Sequence, residues 1–84
     1  MDEIADHDDR VAVFFESTHR IAKTLELFAE HERLAQRRVV VCKEITKLHE
    51  RVIEGVAADI LVTLRTDPNL ERGEFVVVVD RVTR

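Results

Sequence analysis

Short apolar runs alternate with amphipathic segments along this chain. The runs are rich in valine and phenylalanine, which is typical of buried strands. Between the first two runs, apolar residues recur every three or four positions from about 18 to 35 and predict a helix. A second stripe, after Gly55 and through Arg65, predicts another helix. The strand-like runs are residues 11–15, 39–42 and 75–79.

The order strand, helix, strand, helix, strand predicts an α/β layer domain with helices covering a sheet. Residues 48–53 offer a possible further strand. We therefore expect a single small layer domain with a mixed or parallel sheet of about three to five strands and two main helices. Residues 36–38 are a polar connection. The unbroken apolar run at 75–79 predicts burial on both faces of the sheet.

The composition is typical of a globular protein, and the uneven distribution of charge separates an acidic N-terminal segment from the rest of the chain. Its 84 residues are 45% hydrophobic and 36% charged, enough for one domain. The net charge of −4 arises from residues 1–9, which hold five acidic and no basic residues. We expect residues 1–10 to be an acidic connector or a frayed N-terminus and residues 11–84 to be the domain. The nearly neutral remainder lacks the basic balance of a main nucleic-acid surface.

The single cysteine and the short apolar runs indicate in which cellular compartment the protein acts. Cys42 lies in an apolar run, so we expect a small buried side chain and no internal disulfide, as in a reducing cytoplasm. No run approaches the roughly 20 residues that cross a bilayer. The chain is therefore predicted to be cytoplasmic, with no membrane partner.

Two polar clusters, residues 16–20 and 43–50, each follow a strand-like run. Ligands collect beyond the carboxyl ends of strands in open α/β sheets, so both clusters are predicted to converge on one edge. A structural interpretation stands beside this one. Ser17 or Thr18 would cap the helix, and the second cluster would be a solvated loop whose ion pairs contribute about 0–1 kcal/mol each.

Other kinds of site are disfavoured by spacing. The four histidines have no metal-ligand spacing, and a metal site needs three or four convergent ligands, so no metal is predicted. Ser17 and His49 lack the nucleophile elbow of a serine hydrolase. With only two glycines, the chain has no Gly-rich phosphate loop.

Three blocks of sequence resemble one known family. Residues 14–20, F-F-E-S-T-H-R, resemble its motif F-Y-E-S-P-H-R. Residues 38–50, R-V-V-V-C-K-E-I-T-K-L-H-E, are similar to R-V-x-V-A-R-E-L-T-K-L-H-E, and residues 73–79, G-E-F-V-V-V-V, to G-E-F-V-L-V-V. In this order and spacing they are similar to the C-terminal domain of the ribosomal RNA small subunit methyltransferase I family, within the tetrapyrrole methylase superfamily.

The resemblance implies a methyltransferase that uses S-adenosylmethionine to methylate the 2′-hydroxyl of a cytidine in small-subunit ribosomal RNA. Family members have two α/β domains, hold the methyl donor between them and generally form homodimers. This chain corresponds to the C-terminal domain. The N-terminal methylase domain would then be a missing partner, in a separate chain or in a longer protein, and this chain alone is expected to be inactive.

The matching positions imply roles for particular residues. Lys47 and His49 are candidates for positioning or deprotonating the ribose hydroxyl. The departures from the motifs include Thr18 in place of a proline, Lys43 in place of an arginine and Ile45 in place of a leucine. The change to lysine removes a planar bidentate fork. The candidates for cofactor binding are Glu16, Ser17 and Glu74. The candidates for substrate or RNA binding are His19, Arg20, Lys43 and Glu44.

Two alternatives remain for function. The domain could be a standalone interaction module that dimerises without catalysis, or part of a corrin or porphyrin methylase with the same fold. The T-K-L-H-E sequence favours the RNA branch. A methyltransferase half should regain activity with its missing domain, whereas an interaction module should not.

Overall fold

The strands and helices follow one another as the hydrophobic pattern predicts. The computed structural model describes residues 2–7, 9–44, 50–66 and 74–82. Within these ranges, a short helix precedes the predicted elements and the possible strand near residue 50 is present. The elements are α1 (Asp2–Asp6), β1 (Ala12–Ser17), α2 (Ile21–Glu30), β2 (Val39–Glu44), β3 (Glu50–Gly55), α3 (Ala57–Arg65) and β4 (Glu74–Val79).

The four described strands form one sheet in the order β1-β4-β2-β3, and every adjacent pair is antiparallel. Strands β1 and β2, joined through α2, therefore run in the same direction on either side of β4. Strands β3 and β4, joined through α3, do the same around β2. Each helix thus connects two strands of the same direction that have one antiparallel strand between them, which is a split β-α-β unit. The predicted class, a small α/β layer domain with two main helices, is confirmed.

The hydrophobic core lies between the sheet and helices α2 and α3. Alternate residues of β4, namely Phe75, Val77 and Val79, are fully buried on this face. The Phe14 and Phe28 rings, 6.2 Å apart, join β1 to α2. Each fully buried aliphatic or aromatic side chain contributes about 1.5–3 kcal/mol. Other core residues include Ile21, Leu25, Leu34, Val39, Val41, Ile53, Ala57, Ile60, Leu61 and Leu64.

The opposite face of the sheet is largely apolar and is uncovered in the described structure. Phe15 is 77% exposed, Val13 61% and Val52 59%. The prediction that β4 would be buried on both faces is therefore wrong for the described chain, and Cys42 is half-buried rather than buried. An antiparallel sheet usually turns a polar face to water. We call this surface the open face; its apolar side chains are Val13, Phe15, Val40, Cys42, Val52, Val76 and Val78.

Helix α2 is shorter than the predicted 18–35, and the predicted caps are wrong. Its N-cap is Arg20, which makes no side-chain capping bond. Ser17 belongs to β1, and its carbonyl accepts the Arg20 N–H at 3.1 Å, which closes a turn before the helix. At the other end, His31 is extended (φ −80°, ψ 126°). Buried Leu34 continues the apolar stripe in the following turns, which explains the overlong prediction.

The acidic N-terminal segment, predicted to be a connector or to fray, contains helix α1, which contacts the domain. Ala5 is buried in the core, and Arg33 Nη1 lies 3.0 Å from Asp6 Oδ1. The Ile4 carbonyl accepts a hydrogen bond from Arg37. These contacts hold residues 4–6 against the body, while the role of this segment as a connector to another domain stays a prediction.

Gly55 ends β3 with φ +148°, a conformation that favours glycine. A Cβ there would lie 3.8 Å from the Asp59 Cβ, an ordinary contact, so the backbone is the limiting factor. We expect Gly55→Ala to lower the free energy of unfolding by about 1–3 kcal/mol, measured by urea unfolding. The loss should persist in an Asp59→Gly background, which removes that Cβ; if it disappears there, the side-chain contact is the cause instead.

Candidate functional site

The ends of β1 and β2 lie at the same edge of the sheet, because these strands run in the same direction. Ser17 pairs with Glu74, Glu74 with Glu44, and Glu44 with Glu50. These four positions form one row across the sheet, which we call the strand-end edge. This register places the two strand ends from which the polar clusters start at one edge of one sheet. The predicted convergence of the clusters also involves residues 45–49, which lie outside the described residues, and stays a prediction.

The predicted catalytic residues Lys47 and His49 lie outside the described residues, as does the side chain of Glu44. The described strands nevertheless fix where this part of the chain is attached. Residues 45–49 join Glu44 to Glu50, and these two are register partners in the strand-end edge. Both ends of segment 45–49, which holds Lys47 and His49, are therefore attached at the strand-end edge.

Glu16 is anchored by its neighbours at the beginning of this edge. Its Oε2 accepts a hydrogen bond from the Thr24 hydroxyl at 2.6 Å, and its Oε1 accepts the Ser17 N–H at 3.2 Å. Arg20 Nε lies 3.8 Å from Oε1. The carboxylate thus ties the end of β1 to α2, a positioning contact that holds Ser17 and the turn before α2 in place.

A shallow pocket of about 160 Å³ at the outer corner of the sheet is lined by Phe15, Glu16, Ser17 and Glu74. It brings together all three residues predicted to bind the cofactor and adds an exposed aromatic ring. Pockets that enclose a drug-sized ligand typically have about 300–1,000 Å³. This pocket is therefore large enough for part of such a ligand, and a second surface is needed to complete it.

His19 and Arg20 are exposed in the turn between β1 and α2. The Arg20 side chain keeps 78% of its surface accessible while it lies near Glu16. An exposed ion pair of this kind contributes about 0–1 kcal/mol. Arg20 can therefore exchange its carboxylate partner for another anion, such as a phosphate, at little cost.

Lys43 lies on the covered side of the sheet. It is only 1% exposed, and its Nζ lies 5.8 Å from the centroid of the Phe75 ring, within cation–π distance. Glu16 and Lys43 flank Phe75 in the register, on the two strands beside β4. Lys43 is therefore buried on the covered side of the sheet, next to the strand-end edge, and its ammonium is not presented at the surface.

Three contributing residues were not identified from the sequence. Thr24 anchors Glu16 from the helix that follows β1, eight residues later, and Phe75 contacts Lys43 through the pairing of β4 with β2, which are distant in sequence. Phe15 was assigned to a buried strand. Its alternation with Phe14 is the signal that could have placed it on the other face.

Metal-binding groups and membrane-spanning helices are absent from the described ranges. Over residues 2–7, 9–44, 50–66 and 74–82, no three His, Cys, Asp or Glu side chains come together in a metal-binding group. Among the described helices, none has the length and apolar character needed to cross a bilayer.

No protein-family model matches this chain. Individual relatives do. It is 37% identical over 73 residues to the ribosomal RNA small subunit methyltransferase I of Xylella fastidiosa (strain 9a5c), which covers 87% of this chain and 26% of the relative. The enzyme of the same name from Pasteurella multocida (strain Pm70) is 39% identical over 75 residues, with the same two coverages.

A third relative is more distant and covers more of the chain. The ribosomal RNA small subunit methyltransferase I of Hydrogenobaculum sp. (strain Y04AAS1) is 33% identical over 79 residues, 94% of this chain and 33% of the relative. The chain thus spans about a quarter to a third of the length of these relatives. By sequence, this chain matches one part of the ribosomal RNA small subunit methyltransferase I family.

Proposed function

We propose that this chain is the C-terminal part of a two-domain methyltransferase that acts on small-subunit ribosomal RNA. One observation carries the proposal beyond the similarity itself. Ser17, Glu74 and Glu44 come from three separate blocks of sequence that resemble the family, and they are adjacent in one row of the sheet. Blocks that are remote in the chain but adjacent in the fold are what a shared binding site requires.

The corner pocket fits part of a methyl donor of the S-adenosylmethionine type. Such a donor would supply a methyl group on a positively charged sulfur, together with an amino group, ribose hydroxyls and an adenine ring. Carboxylates of Glu16 and Glu74 and the hydroxyl of Ser17 can accept hydrogen bonds from the polar groups, and Phe15 offers an apolar surface. The rest of the donor would lie against the N-terminal domain.

The proposed reaction transfers the methyl group to the 2′-hydroxyl of a cytidine. The ribose oxygen attacks the methyl carbon as the carbon–sulfur bond breaks, and the hydroxyl proton must pass to a base. We assign Lys47 and His49 to holding or removing this proton. His19, Arg20 and Glu44 would contact the RNA, and buried Lys43 would position the edge from beneath.

Two further features complete the proposal. The protein would act in the cytoplasm as a homodimer, and the open face would supply the dimer surface. The same face favours a second candidate function, a non-catalytic interaction module, because a large apolar surface is what such a module needs.

A chimera separates these functions. In it, this chain replaces the 73 matching residues of the Xylella fastidiosa relative, and methyl transfer from labelled S-adenosylmethionine to small ribosomal subunits is measured. We expect methylation, and a fall of about 10²-fold or more in Lys47→Ala or His49→Ala, which is typical of a lost proton-transfer group. Lys23→Ala, an exposed change on α2, is the control.

The possible outcomes lead to different conclusions. Full activity in both variants would remove Lys47 and His49 from the site. A folded chimera that dimerises without methylating RNA would favour the interaction module.

A further inference from the structure

A second cleft, at the opposite end of the sheet from the strand-end edge, is lined by arginines. It measures about 400 Å³. Arg38 precedes β2 and Arg81 follows β4, and the two ends are tied by the Asp80 N–H, which donates to the Arg38 carbonyl at 2.8 Å. None of the described residues that line the cleft carries a carboxylate. Its lining residues are Arg33, Gln36, Arg37, Arg38, Arg81 and Val82.

Arg37 places a positive charge at this cleft without a carboxylate partner among the described residues. It is only 3% exposed, and its guanidinium donates to the carbonyls of Asp80 at 2.8 Å, Ile4 at 3.0 Å and Arg10 at 3.0 Å. A guanidinium has five N–H donors, so two remain beyond these three bonds. A buried charge with neutral partners favours a nearby anion.

The other arginines can be redirected to a ligand at little cost. Arg33 pairs with Asp6, and Arg38 with Glu54, but all four side chains are more than half exposed. Such pairs contribute about 0–1 kcal/mol. In the described part of the chain, the Arg81 guanidinium makes no ion pair, although its backbone N–H donates to the Asp80 carboxylate.

We propose that this arginine cleft binds backbone phosphates of RNA. The proposal rests on the proposed function, which makes RNA the substrate. Guanidinium groups form bidentate bonds with phosphate oxygens. Among the described lining residues, Val82 is the one apolar side chain and none is aromatic, so these residues offer no stacking surface for a base. The contact is therefore with the backbone and is independent of sequence.

The distance between the two sites fits one continuous RNA. Strands of six residues separate the cleft from the strand-end edge, which corresponds to about 20 Å. That length equals roughly six nucleotides of a stacked strand at 3.4 Å per step. The cleft would hold the RNA at a point remote from the methylated nucleotide and orient it across the sheet edge.

The test compares variants in binding a short single-stranded RNA of mixed sequence. Fluorescence anisotropy is measured with this chain between 50 and 200 mM salt. Arg33→Ala/Arg81→Ala avoids Arg37, which the fold needs. We expect about tenfold weaker binding and a salt slope flatter by about 0.7 per lost phosphate contact. Arg65→Ala, an exposed arginine on α3 outside the cleft, should bind like the unchanged chain.

Several results would overturn the proposal. These are no RNA binding at 50 mM salt, equal affinity and slope in the double variant, or an equal loss in Arg65→Ala. Displacement of RNA by micromolar inorganic pyrophosphate would assign the cleft to a small anion instead. Thermal unfolding of each variant verifies that the fold is kept.

The chimera distinguishes failure of this proposal from failure of the proposed function. With the double variant, KM for ribosomal subunits should rise about tenfold while kcat is unchanged. An unchanged KM in an active chimera would contradict RNA binding at the cleft but not the methyltransferase function. An inactive chimera whose RNA binding still depends on Arg33 and Arg81 would overturn the methyltransferase function and leave the cleft standing.

Discussion

Replacing Arg37 with methionine is expected to lower the free energy of unfolding by about 3–5 kcal/mol. Its guanidinium joins three segments that are far apart in sequence: helix α1 through Ile4, the start of β1 through Arg10, and the end of β4 through Asp80. Methionine fills much of the volume but donates no hydrogen bond, so three carbonyls lose their partner. Since small domains are stable by about 5–15 kcal/mol, this is a large fraction of the total.

Urea unfolding followed by circular dichroism measures this effect, with Arg33→Met as the matched control. Arg33 is exposed and makes a single surface ion pair with Asp6, so the control should lose less than about 1 kcal/mol. Arg37→Lys keeps the charge but has no planar fork that reaches three carbonyls, and most of the loss should remain. If Arg37→Met and the control lose the same free energy of unfolding, water replaces the guanidinium, and the structural role of Arg37 is minor.

The sequence predicted the elements of this fold because their signals are local. The apolar run of β4 and the stripe of α3 each lie within ten residues, and both were placed to within one or two positions. The strand-end edge followed from the same signals, since polar clusters after two strands define its two ends. What the local pattern could not provide was the insertion of β4 between β1 and β2, because strand order depends on pairing between distant segments.

The side chains that the sequence misplaced depend on the same long-range pairing. Residues 36–38 were interpreted as a polar connection, yet Arg37 is buried because carbonyls from three other segments surround it. Lys43 was taken for a surface residue. Its spacing of two from Val41 on β2 was a usable signal, because alternate residues of a strand share a face. The nearly neutral composition likewise concealed the arginine cleft, which folding assembles from residues 33–38 and Arg81.

The open face should determine whether this chain associates with itself. Without the strand-end row, four residues of each of four strands present roughly 250 Å² of flat sheet at about 4.8 Å between strands and 3.3 Å per residue. Two copies packed face to face would bury on the order of 500 Å², below the roughly 1,200 Å² of small stable complexes. We therefore expect this chain alone to form a weak dimer, which further contacts would strengthen in a longer protein. The sheets would pack in the aligned manner of a β-sandwich.

Phe15→Glu is expected to weaken this dimer at least a hundredfold in sedimentation equilibrium at concentrations near 100 μM and above. Burial of a phenylalanine contributes about 1.5–3 kcal/mol, and a two-fold dimer contains the change twice, while tenfold in affinity corresponds to about 1.4 kcal/mol. Val62→Glu is the matched control, because Val62 is also exposed but lies on α3, which packs against the covered face. A chain that is monomeric at millimolar concentration, or a dimer that both variants leave intact, would contradict the assignment of the open face. Loss of association in Phe15→Glu alone requires that the apolar residues of β1 lie in the contact, because the two variants add the same charge.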